Sequence, residues 1–472
     1  MERQSLLCPI CGVSEAIHDT PIRCPRCGSP LFVERERRRE LYDAALEEAK
    51  RSRDLGVWSF HRLLPTKYAG LSLGEGWTPL TRSPTSMRYA SVELFFKNES
   101  LNPSSTFIDR GAAVALEHAR ELESEGVYVA GTGDIVVSMA MYARAYGMPL
   151  VAYVPSDVDA GHLMRALLSG ARLVKVSSYS EAIDFALSIG RGRRVYRVVA
   201  ATMPIGEGYR TISFEIYLQL RGLPDTVLVP VGDGVLAIAL YRGFEELSEA
   251  LGLDMPRIVA VRCSPDIDEG VKDKALAELM VERPLALQGA LEAARKSGGT
   301  VVAVTSREAL RASLELAKRE GMFVDPVGVV GYAALLKLAL QGYLDRGERV
   351  VVLLSGSPFK DPFLLFRIAS MDRELERELV ELEGLETLSL SETQLEILRI
   401  VAERGPINIC GIYNHIRMLG RKLAMSTLYY HLKNLVRNGL VECVRGDKTV
   451  MYIATERALA ALRKLYGSAE ER

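Results

Sequence analysis

Two pairs of closely spaced cysteines near the N-terminus are well suited to bind a metal. Cys8 and Cys11 are separated by two residues, and Cys24 and Cys27 repeat that spacing. Each pair can present two thiolates from one tight turn, and zinc accepts four thiolates in a tetrahedral shell. Such a shell leaves no position for water, so we expect a structural zinc ribbon over residues 1–33. A redox-active pair of dithiols is the alternative reading of this spacing.

The composition is that of a globular chain without a dominant charge. Its 472 residues include 59 Lys and Arg and 60 Asp and Glu, which gives a formal net charge of −1. Overall charge therefore indicates no class of partner, and the length allows two or more domains with a large core. The sequence shows no signal pattern and no apolar run of membrane-spanning length. A cytoplasmic protein without membrane contact is expected.

The middle of the chain, residues 55–367, alternates short β-branched runs with helical stretches rich in Ala and Leu. This alternation is typical of buried parallel strands joined by helical crossovers, and it predicts a doubly wound α/β body. The strands are expected at residues 127–130, 150–154, 173–176, 227–231, 258–261, 300–304 and 350–354. Residues 34–54, which precede the body, are charged and predict a helical linker with a solvated face.

The stretch FKNESLNPSSTFIDRG, residues 96–111, closely resembles the cofactor-lysine segment of threonine synthases. Those are fold-type II pyridoxal-phosphate enzymes, and their segment reads KNExxNPTGSFKDRG. The loop LGEGWTPL, residues 73–80, and the cysteine ribbon resemble the same family. The resemblance implies two α/β lobes with a cleft between them, the smaller lobe lying at about residues 111–198.

The position that holds the cofactor in that family is changed here. In the family, the lysine after the phenylalanine forms a Schiff base with pyridoxal phosphate, and the matching residue is Ile108. A branched alkyl side chain has no amine, so no imine forms and covalent catalysis of this kind is lost. Lys97 is the nearest upstream lysine, but it matches a different family position, and we do not assign it the imine role.

Three further positions match residues that contact the cofactor in the family. Asp134 stands where the SGN segment has an asparagine, and a carboxylate cannot donate a hydrogen bond as an amide does. The phosphate-binding glycine turn is represented by residues 232–235, where Asp233 brings a like charge toward the phosphate. Ser355, in SGSPFKDP, matches the hydroxyl that faces the pyridine nitrogen.

These differences predict a cleft that has lost pyridoxal-phosphate catalysis and does not bind the cofactor tightly. An apolar residue beside two carboxylates suits a cationic or amine-bearing small molecule better than an organic phosphate. An amino acid or an amine is therefore the expected effector. The predicted cleft residues are Thr106, Ile108, Asp134, Gly232, Asp233, Gly234 and Ser355.

The last part of the chain has a pattern of its own. Residues 368–387 form an acidic, helix-prone connector, which could also serve as one arm of a helical dimer contact. In residues 388–472, Ser391 is suited to cap a first helix, and helices near 409–419 and 426–438 follow. A hairpin with its tip at Gly446 and Asp447 then completes the pattern of a winged helix-turn-helix.

The third helix of this pattern carries the expected DNA contacts. The stretch STLYYHLKNLVRNGLV, residues 426–441, closely resembles the recognition helix of bacterial and archaeal winged-helix repressors. Residues 388–472 hold 13 Lys and Arg against 8 Asp and Glu, a net charge of +5 that favours DNA over the alternative of a protein partner. The residues expected to bind DNA are Ser426, Thr427, Tyr430, His431, Lys433, Asn434, Arg437, Arg445 and Lys448.

The patterns together predict a DNA-binding transcription regulator whose sensor is a catalytically inactive, threonine-synthase-like body. A homodimer is expected because paired half-sites are a common way for such domains to gain affinity. Two alternatives come from other classes of protein. One is an active pyridoxal-phosphate lyase with an appended regulatory domain, and the other is a scaffold that binds a partner enzyme and no DNA.

Overall fold

The computed structural model describes the chain except for residues 1–4, 10, 17–23, 27–29, 85–91, 157, 159, 189–193, 265–275, 277–278, 361–363, 366–367, 369–370, 373–389, 420–422, 446–448, 460–461 and 463–472. The chain divides into two units, Met1–Leu364 and Leu365–Arg472. The predicted connector at 368–387 lies almost entirely outside the described residues. Among the described helices, none is long and apolar enough to cross a membrane.

The strands are β1 (Ser5–Leu7), β2 (Ser14–Ala16), β3 (Phe32–Glu34), β4 (Leu80–Arg82), β5 (Glu93–Asn98), β6 (Gly126–Ala130), β7 (Leu150–Pro155), β8 (Arg172–Val176), β9 (Val195–Val198), β10 (Thr226–Val231), β11 (Arg257–Cys263), β12 (Val301–Val304), β13 (Arg349–Leu354), β14 (Ile407–Asn408), β15 (Val441–Arg445) and β16 (Val450–Ala454). The helices are α1 (Arg39–Arg51), α2 (Ile108–Glu121), α3 (Gly133–Ala145), α4 (Ala160–Leu168), α5 (Tyr179–Ser188), α6 (Met203–Leu220), α7 (Val235–Leu251), α8 (Leu287–Lys296), α9 (Ser306–Glu320), α10 (Val330–Leu340), α11 (Glu392–Arg404), α12 (Ile409–Met418) and α13 (Met425–Arg437).

Two parallel sheets form the two lobes of the first unit. The larger sheet has the order β12-β11-β10-β13-β5-β4, in which only β4 pairs antiparallel. The smaller sheet has the order β8-β7-β6-β9 and is parallel throughout. Strand β10 is buried along its whole length, as a central strand covered by helices on both faces must be. The predicted two-lobed α/β architecture is confirmed.

A buried ion network fixes the segment that leads into α2. Arg110 donates to both carboxylate oxygens of Glu99 at 2.7 Å and to both of Glu215 at 2.5 and 2.8 Å. Lys97 Nζ lies 2.6 Å from Glu215 Oε2, and all four side chains are fully buried. Two cations balance two carboxylates, and buried charges are tolerated when they are paired in this way. We refer to Lys97, Glu99, Arg110 and Glu215 as the frame network.

Helices α2 and α6 approach closely because glycine lies at their crossing. A Cβ atom on Gly208 would lie 2.3 Å from the carbonyl oxygen of Arg110, and one on Gly111 would lie 2.9 Å from that of Ile205. Any larger residue at either position would push the helices apart. The glycines therefore hold the first turn of α2, where Ile108 lies, against α6.

The N-terminal residues pack on the start of α6. Strands β1 to β3 form an antiparallel sheet, and Glu207 of α6 accepts hydrogen bonds from Val33 N at 2.9 Å and from Arg35 at 2.8 Å. The segment 34–54, predicted to be a helical linker with a solvated face, contains a helix with an exposed face. Its helix begins only at Arg39, and one face of that helix is buried because it carries Tyr42, Ala45, Leu46 and Ala49.

The second unit contains the predicted three helices and β-wing. Ser391 caps α11 through a reciprocal pair of hydrogen bonds with Gln394, at 2.9 and 3.3 Å. Leu428, Leu432 and Leu435 of α13 are buried, as their spacing predicts. Strands β14, β16 and β15 form a small antiparallel sheet, and the wing tip predicted at Gly446 and Asp447 lies outside the described residues.

Candidate functional site

A cavity of about 140 Å³ lies where the carboxyl ends of parallel strands from both lobes meet. Strand β6 ends just before α3, β10 ends just before α7, and β13 ends just before Ser355. Ligand sites in open α/β folds form at such strand ends because the loops there converge. All seven residues predicted for the cleft line this cavity: Thr106, Ile108, Asp134, Gly232, Asp233, Gly234 and Ser355. We refer to it as the cleft cavity.

The first turn of α2 presents an apolar side chain to the cavity. Ile108 begins the helix, while the next residue, Asp109, is fully buried and faces away from solvent. Asp109 accepts hydrogen bonds from Ser104 N and Oγ, each at 2.6 Å, and from Ser138 Oγ at 2.5 Å. Burial raises the pKa of Asp109 to about 6 despite these bonds. Asp109 thus holds the backbone of this turn in place through its hydrogen bonds, and Ile108 is the residue that reaches the cavity.

An ion pair joins the two lobes at one end of the cavity. Lys360 Nζ, from the larger lobe, lies 2.6 Å from Asp134 Oδ2 at the start of α3 and 3.1 Å from Asp325 Oδ2. His162 Nε2 lies 3.2 Å from the other oxygen of Asp134, and Arg165 is 3.9 Å away. Burial would raise the pKa of Asp134, but Lys360 and His162 outweigh it and hold that pKa well below its usual value. Asp134 is therefore an ionised and fully partnered carboxylate.

A second carboxylate, that of Asp233, lies in the turn between β10 and α7. Its Oδ1 accepts a hydrogen bond from Leu285 N at 2.7 Å, and its main-chain oxygen accepts one from Ala286 N at 3.0 Å. The buried Oδ2 atom has no hydrogen-bond partner among the described residues. Burial raises the pKa of Asp233 to about 6, although the Leu285 amide opposes the rise. A buried carboxylate oxygen without a donor is costly, because polar groups lose hydration there without replacement.

The same turn is tightly packed. Gly234 has φ of +103° and ends the turn at the N-cap of α7, and a Cβ atom there would lie 2.6 Å from the carbonyl oxygen of Ala286. Val235 follows as the first residue of the helix and also lines the cavity. A branched side chain at this position adds bulk beside the backbone amides of the turn, where a glycine would add none.

Aromatic rings form another part of the lining. Phe107, Tyr179 and Tyr209 all line the cavity, and the rings of Phe107 and Tyr209 pack edge to face with centroids 4.9 Å apart. Burial raises the pKa of Tyr209 well above its usual value, and the nearby Asp233 and Asp109 charges add to the rise. Sequence reasoning missed both tyrosines because a single aromatic residue on a helix gives no sign of which cavity it faces.

Lys360 and His162 were also not assigned from the sequence. Lys360 belongs to the SGSPFKDP stretch quoted for Ser355, but its partner Asp134 is 226 residues earlier in the chain. Lys97, to which the sequence assigns no imine role, is fully buried and bonds to Glu215, to Gln219 and to the carbonyl oxygen of Thr78. It does not line the cleft cavity.

Three of the four predicted zinc ligands come together in the N-terminal region. The sulfur atoms of Cys8, Cys11 and Cys24 all lie within 4.8 Å of one another, and those of Cys11 and Cys24 are 3.5 Å apart. Gly12, with φ of +68°, donates its N–H to the carbonyl oxygen of Cys8 and so closes the first turn. Cys27 lies outside the described residues. The three thiols fit a tetrahedral zinc ion, which prefers such ligands.

In the second unit, α13 presents a polar and aromatic face. Ser426, Thr427, Tyr430, Lys433 and Arg437 are exposed, whereas His431 and Asn434 are half-buried. Tyr429, which was not predicted, is also exposed and extends this face. Arg445 is the last residue of β15, and Lys448 lies outside the described residues.

Comparison with known proteins separates the same two units. The family described as "Pyridoxal-phosphate dependent enzyme" matches residues 71–356, and the family described as "Bacterial regulatory protein, arsR family" matches residues 391–442. The threonine synthase of Methanocaldococcus jannaschii is 32% identical over 391 residues, covering 78% of this chain and 96% of that protein. The threonine synthase of Methanosarcina acetivorans is 30% identical over 382 residues, covering 76% and 92%.

Solved structures show the same fold for the body. Diaminopropionate ammonia lyase from Escherichia coli superposes with a TM-score of 0.55 at 17% identity, over 76% of this chain and 96% of that one. A pyridoxal 5'-phosphate-dependent aspartate racemase gives 0.51 at 18% identity, over 69% and 96%. The chain belongs to the pyridoxal-phosphate dependent enzyme family, to which it adds a C-terminal helix-turn-helix domain of the arsR type.

Proposed function

We propose that this protein is a DNA-binding transcription regulator in which the enzyme-like body has become a ligand sensor without covalent catalysis. The observation that carries the proposal is the combination of an arsR-type helix-turn-helix with a cleft that presents Ile108 where the related segment has its lysine. In that family, pyridoxal phosphate is bound through a lysine amine, whereas the matching position here offers only the alkyl group of Ile108. The cleft remains, and a cleft between two lobes can close on a ligand.

The cavity lining fits a covalently held pyridoxal phosphate poorly. Among the described lining residues the one lysine is Lys360, and its ammonium group is bonded to Asp134 and Asp325. Asp233 adds a carboxylate, and Val235 a branched side chain, to the turn that matches the phosphate-binding turn of the family. Both changes disfavour an organic phosphate. The fold is thus kept while the contacts that hold and activate the cofactor are altered.

The DNA-binding half of the proposal is supported by the exposed face of α13. Its buried leucines hold the helix in the unit's core, and its outer face offers hydroxyl, amine and guanidinium groups. Such groups suit both phosphate contacts and base edges in the major groove. We expect a homodimer, because paired recognition helices commonly bind half-sites one helical turn apart.

A mobility-shift experiment on fragments of the source genome tests this function. Full-length protein is compared with a truncation that ends at Glu386, over a series of salt concentrations. Fragment-selective and salt-sensitive binding by the full-length protein alone is the expected result. Binding at the non-specific level by both proteins would contradict the proposal and favour a scaffold role.

A second candidate function is a pyridoxal-phosphate lyase with an appended regulatory domain. Lys360 favours it, because an amine does line the cleft cavity. Incubation with pyridoxal phosphate followed by borohydride reduction, then peptide mass spectrometry, separates the two functions. Our proposal expects no labelled lysine in the cleft, and a stoichiometric label on Lys360 would favour the lyase.

The N-terminal cysteines support a structural zinc site within the same proposal. Cys8, Cys11 and Cys24 would supply three thiolates, and Cys27 is the expected fourth ligand. We expect one zinc ion per chain, measured by elemental analysis of the purified protein. The double variant Cys8→Ser/Cys11→Ser should lose it, whereas Cys263→Ser, outside this cluster, should retain it.

A further inference from the structure

Asp233 is a half-buried residue of the cleft cavity, and one of its carboxylate oxygens is buried and unsatisfied. One oxygen is bonded to Leu285 N, while none of the described residues donates to Oδ2 or forms an ion pair with the side chain. Asp233 lines the cavity, so a rotation of its carboxyl group would turn this oxygen toward a bound molecule that supplies the missing donor. A charged donor would satisfy it best, because hydrogen bonds between ionised groups are the stronger ones.

The groups around Asp233 also favour a cation. Tyr179 and Tyr209 line the same cavity, and the Asp233 charge acts on both phenols. Aromatic ring faces attract ammonium groups, and this attraction strengthens when water is excluded. The cavity lining thus combines a carboxylate with two tyrosine rings, and both kinds of group can attract an ammonium group.

The other carboxylate of the cavity is not available in the same way. Asp134 already has Lys360 at 2.6 Å and His162 at 3.2 Å. A second cation at Asp134 would have to compete with both of these groups. Asp233 is therefore the more favourable carboxylate for the ammonium group of a ligand, because Asp134 is already paired with Lys360.

The size and walls of the cavity limit the rest of the ligand. Its volume is about 140 Å³, and an engineered cavity of about 150 Å³ holds benzene. Much of its wall is apolar, formed by Ile108, Pro230, Val235, Leu236, Leu279 and Val327. A compact apolar body of roughly benzene size fits this space without leaving polar groups unsatisfied.

We propose that the cleft cavity, whose lining includes Tyr179 and Tyr209, binds a small organic amine whose ammonium group pairs with Asp233. The inference rests on the proposed function, since it names the ligand class of the same cleft. It also gives the turn between β10 and α7 a charge preference opposite to that of a phosphate site. Binding involves no covalent step.

Titration calorimetry on the full-length protein tests the inference with three probes. Benzylamine provides the ammonium and an apolar ring, benzyl alcohol has the same shape without the charge, and inorganic phosphate tests the opposite charge. We expect benzylamine to bind and the other two to bind at least about tenfold more weakly. Absence of benzylamine binding up to about 10 mM, or equal binding of benzyl alcohol, would overturn the inference.

Two variants locate the ammonium group. Asp233→Asn should weaken benzylamine binding by about 10- to 100-fold, while Asp254→Asn, an exposed aspartate elsewhere in the body, should leave it unchanged. If Asp233→Asn does not fold, Tyr179→Leu provides the test, because it removes one ring and should cost about 3- to 10-fold. Wild-type affinity in every folded cleft variant would place the amine elsewhere and overturn the inference.

The DNA experiment distinguishes a failure here from a failure of the proposed function. Benzylamine binding that depends on Asp233, in a protein without selective DNA binding, would sustain the amine site and overturn the regulator. Selective DNA binding without any amine binding would do the reverse.

Discussion

The frame network and the cleft cavity both keep charged groups away from solvent, but they do so differently. In the frame network, Arg110 alone makes four charge-assisted bonds, and every carboxylate has a cation. In the cavity, Asp134 is matched by Lys360, while Asp233 has a buried oxygen without a donor. Paired buried charges hold a structure in one arrangement, whereas an unsatisfied one favours a bound partner. The first region therefore positions the second.

The largest effect should come from breaking the frame network. Arg110→Met would leave Glu99 and Glu215 buried with only Lys97 as a cation, so the free energy of unfolding should fall by about 3–5 kcal/mol. Chemical denaturation followed by circular dichroism measures this loss. The matched control is Arg295→Met, since Arg295 forms an exposed pair with Glu292 on α8 and its removal should change the stability little. Similar losses in the two variants would contradict the role given to the frame network.

Removing the interlobe cation should have the next largest effect. Lys360→Met would leave the Asp134 carboxylate buried beside Asp325, and we expect a loss of about 2–4 kcal/mol near neutral pH. In the wild type, the pKa of Asp134 is depressed, so the stability from this pair is present above the pKa of the unfolded chain and is lost as the pH falls through the folded value. In the variant, Asp134 lacks the Lys360 cation, so its pKa is less depressed and it takes up a proton at a higher pH than in the wild type. The difference in the free energy of unfolding between the wild type and Lys360→Met should therefore become smaller toward acid pH.

Thermal melts at several pH values measure this difference. Lys337→Met is the control, because Lys337 pairs with Glu308 at a half-exposed site on the larger lobe and should cost less than about 1 kcal/mol. A loss for Lys360→Met that does not change with pH would show that the lysine acts through packing alone.

Removal of the unsatisfied Asp233 carboxylate should raise the stability of the protein, whereas the two preceding substitutions should lower it. Burial raises the pKa of Asp233 to about 6, so the folded protein binds a proton there more readily than the unfolded chain does. The resulting loss of stability is absent below about pH 4, grows as the pH rises, and is complete above about pH 6. Asp233→Asn should therefore stabilise the ligand-free protein by about 1–3 kcal/mol at pH 7.5 and have little effect at pH 4. Melting curves at the two pH values test this, and a destabilised Asp233→Asn variant at pH 7.5 would mean that the carboxylate already has a partner.

Much of the fold followed from local sequence patterns. All seven predicted strand runs form strands whose ends differ by at most two residues, because each is a short β-branched run bounded by turn residues. Strand β9 was not predicted, since Arg197 interrupts its four residues and it lies at the edge of its sheet. In the segment 34–54, the helix and its exposed charged residues follow the predicted pattern, whereas the opposite, buried face gave no clear signal among the charges.

The site was predictable only in part, for a different reason. The cleft residues on strand ends and helix starts came from motifs, and they do line one cavity. Tyr179 and Tyr209 gave no comparable signal, and Lys360, although it lies in the motif that contains Ser355, acquires its role from Asp134 far away in the sequence. Whether a carboxylate is partnered, as Asp134 is, or unsatisfied, as Asp233 is, depends on packing that no local pattern encodes.

The smallest expected effect concerns the exposed face of α13, which contrasts with both buried regions because its charges are hydrated. Lys433→Gln removes one cation from that face without disturbing the buried leucines, so the stability of the protein should not change. If Lys433 contacts a phosphate, DNA affinity should fall by a similar factor on every fragment, and the slope of log K against log salt should decrease by about one. Shift assays over a salt series measure that slope, with Lys175→Gln, at an exposed site on the smaller lobe, as the control that should leave it unchanged. A loss confined to some fragments would instead assign Lys433 to a base edge in the major groove, since phosphate contacts carry no sequence information directly.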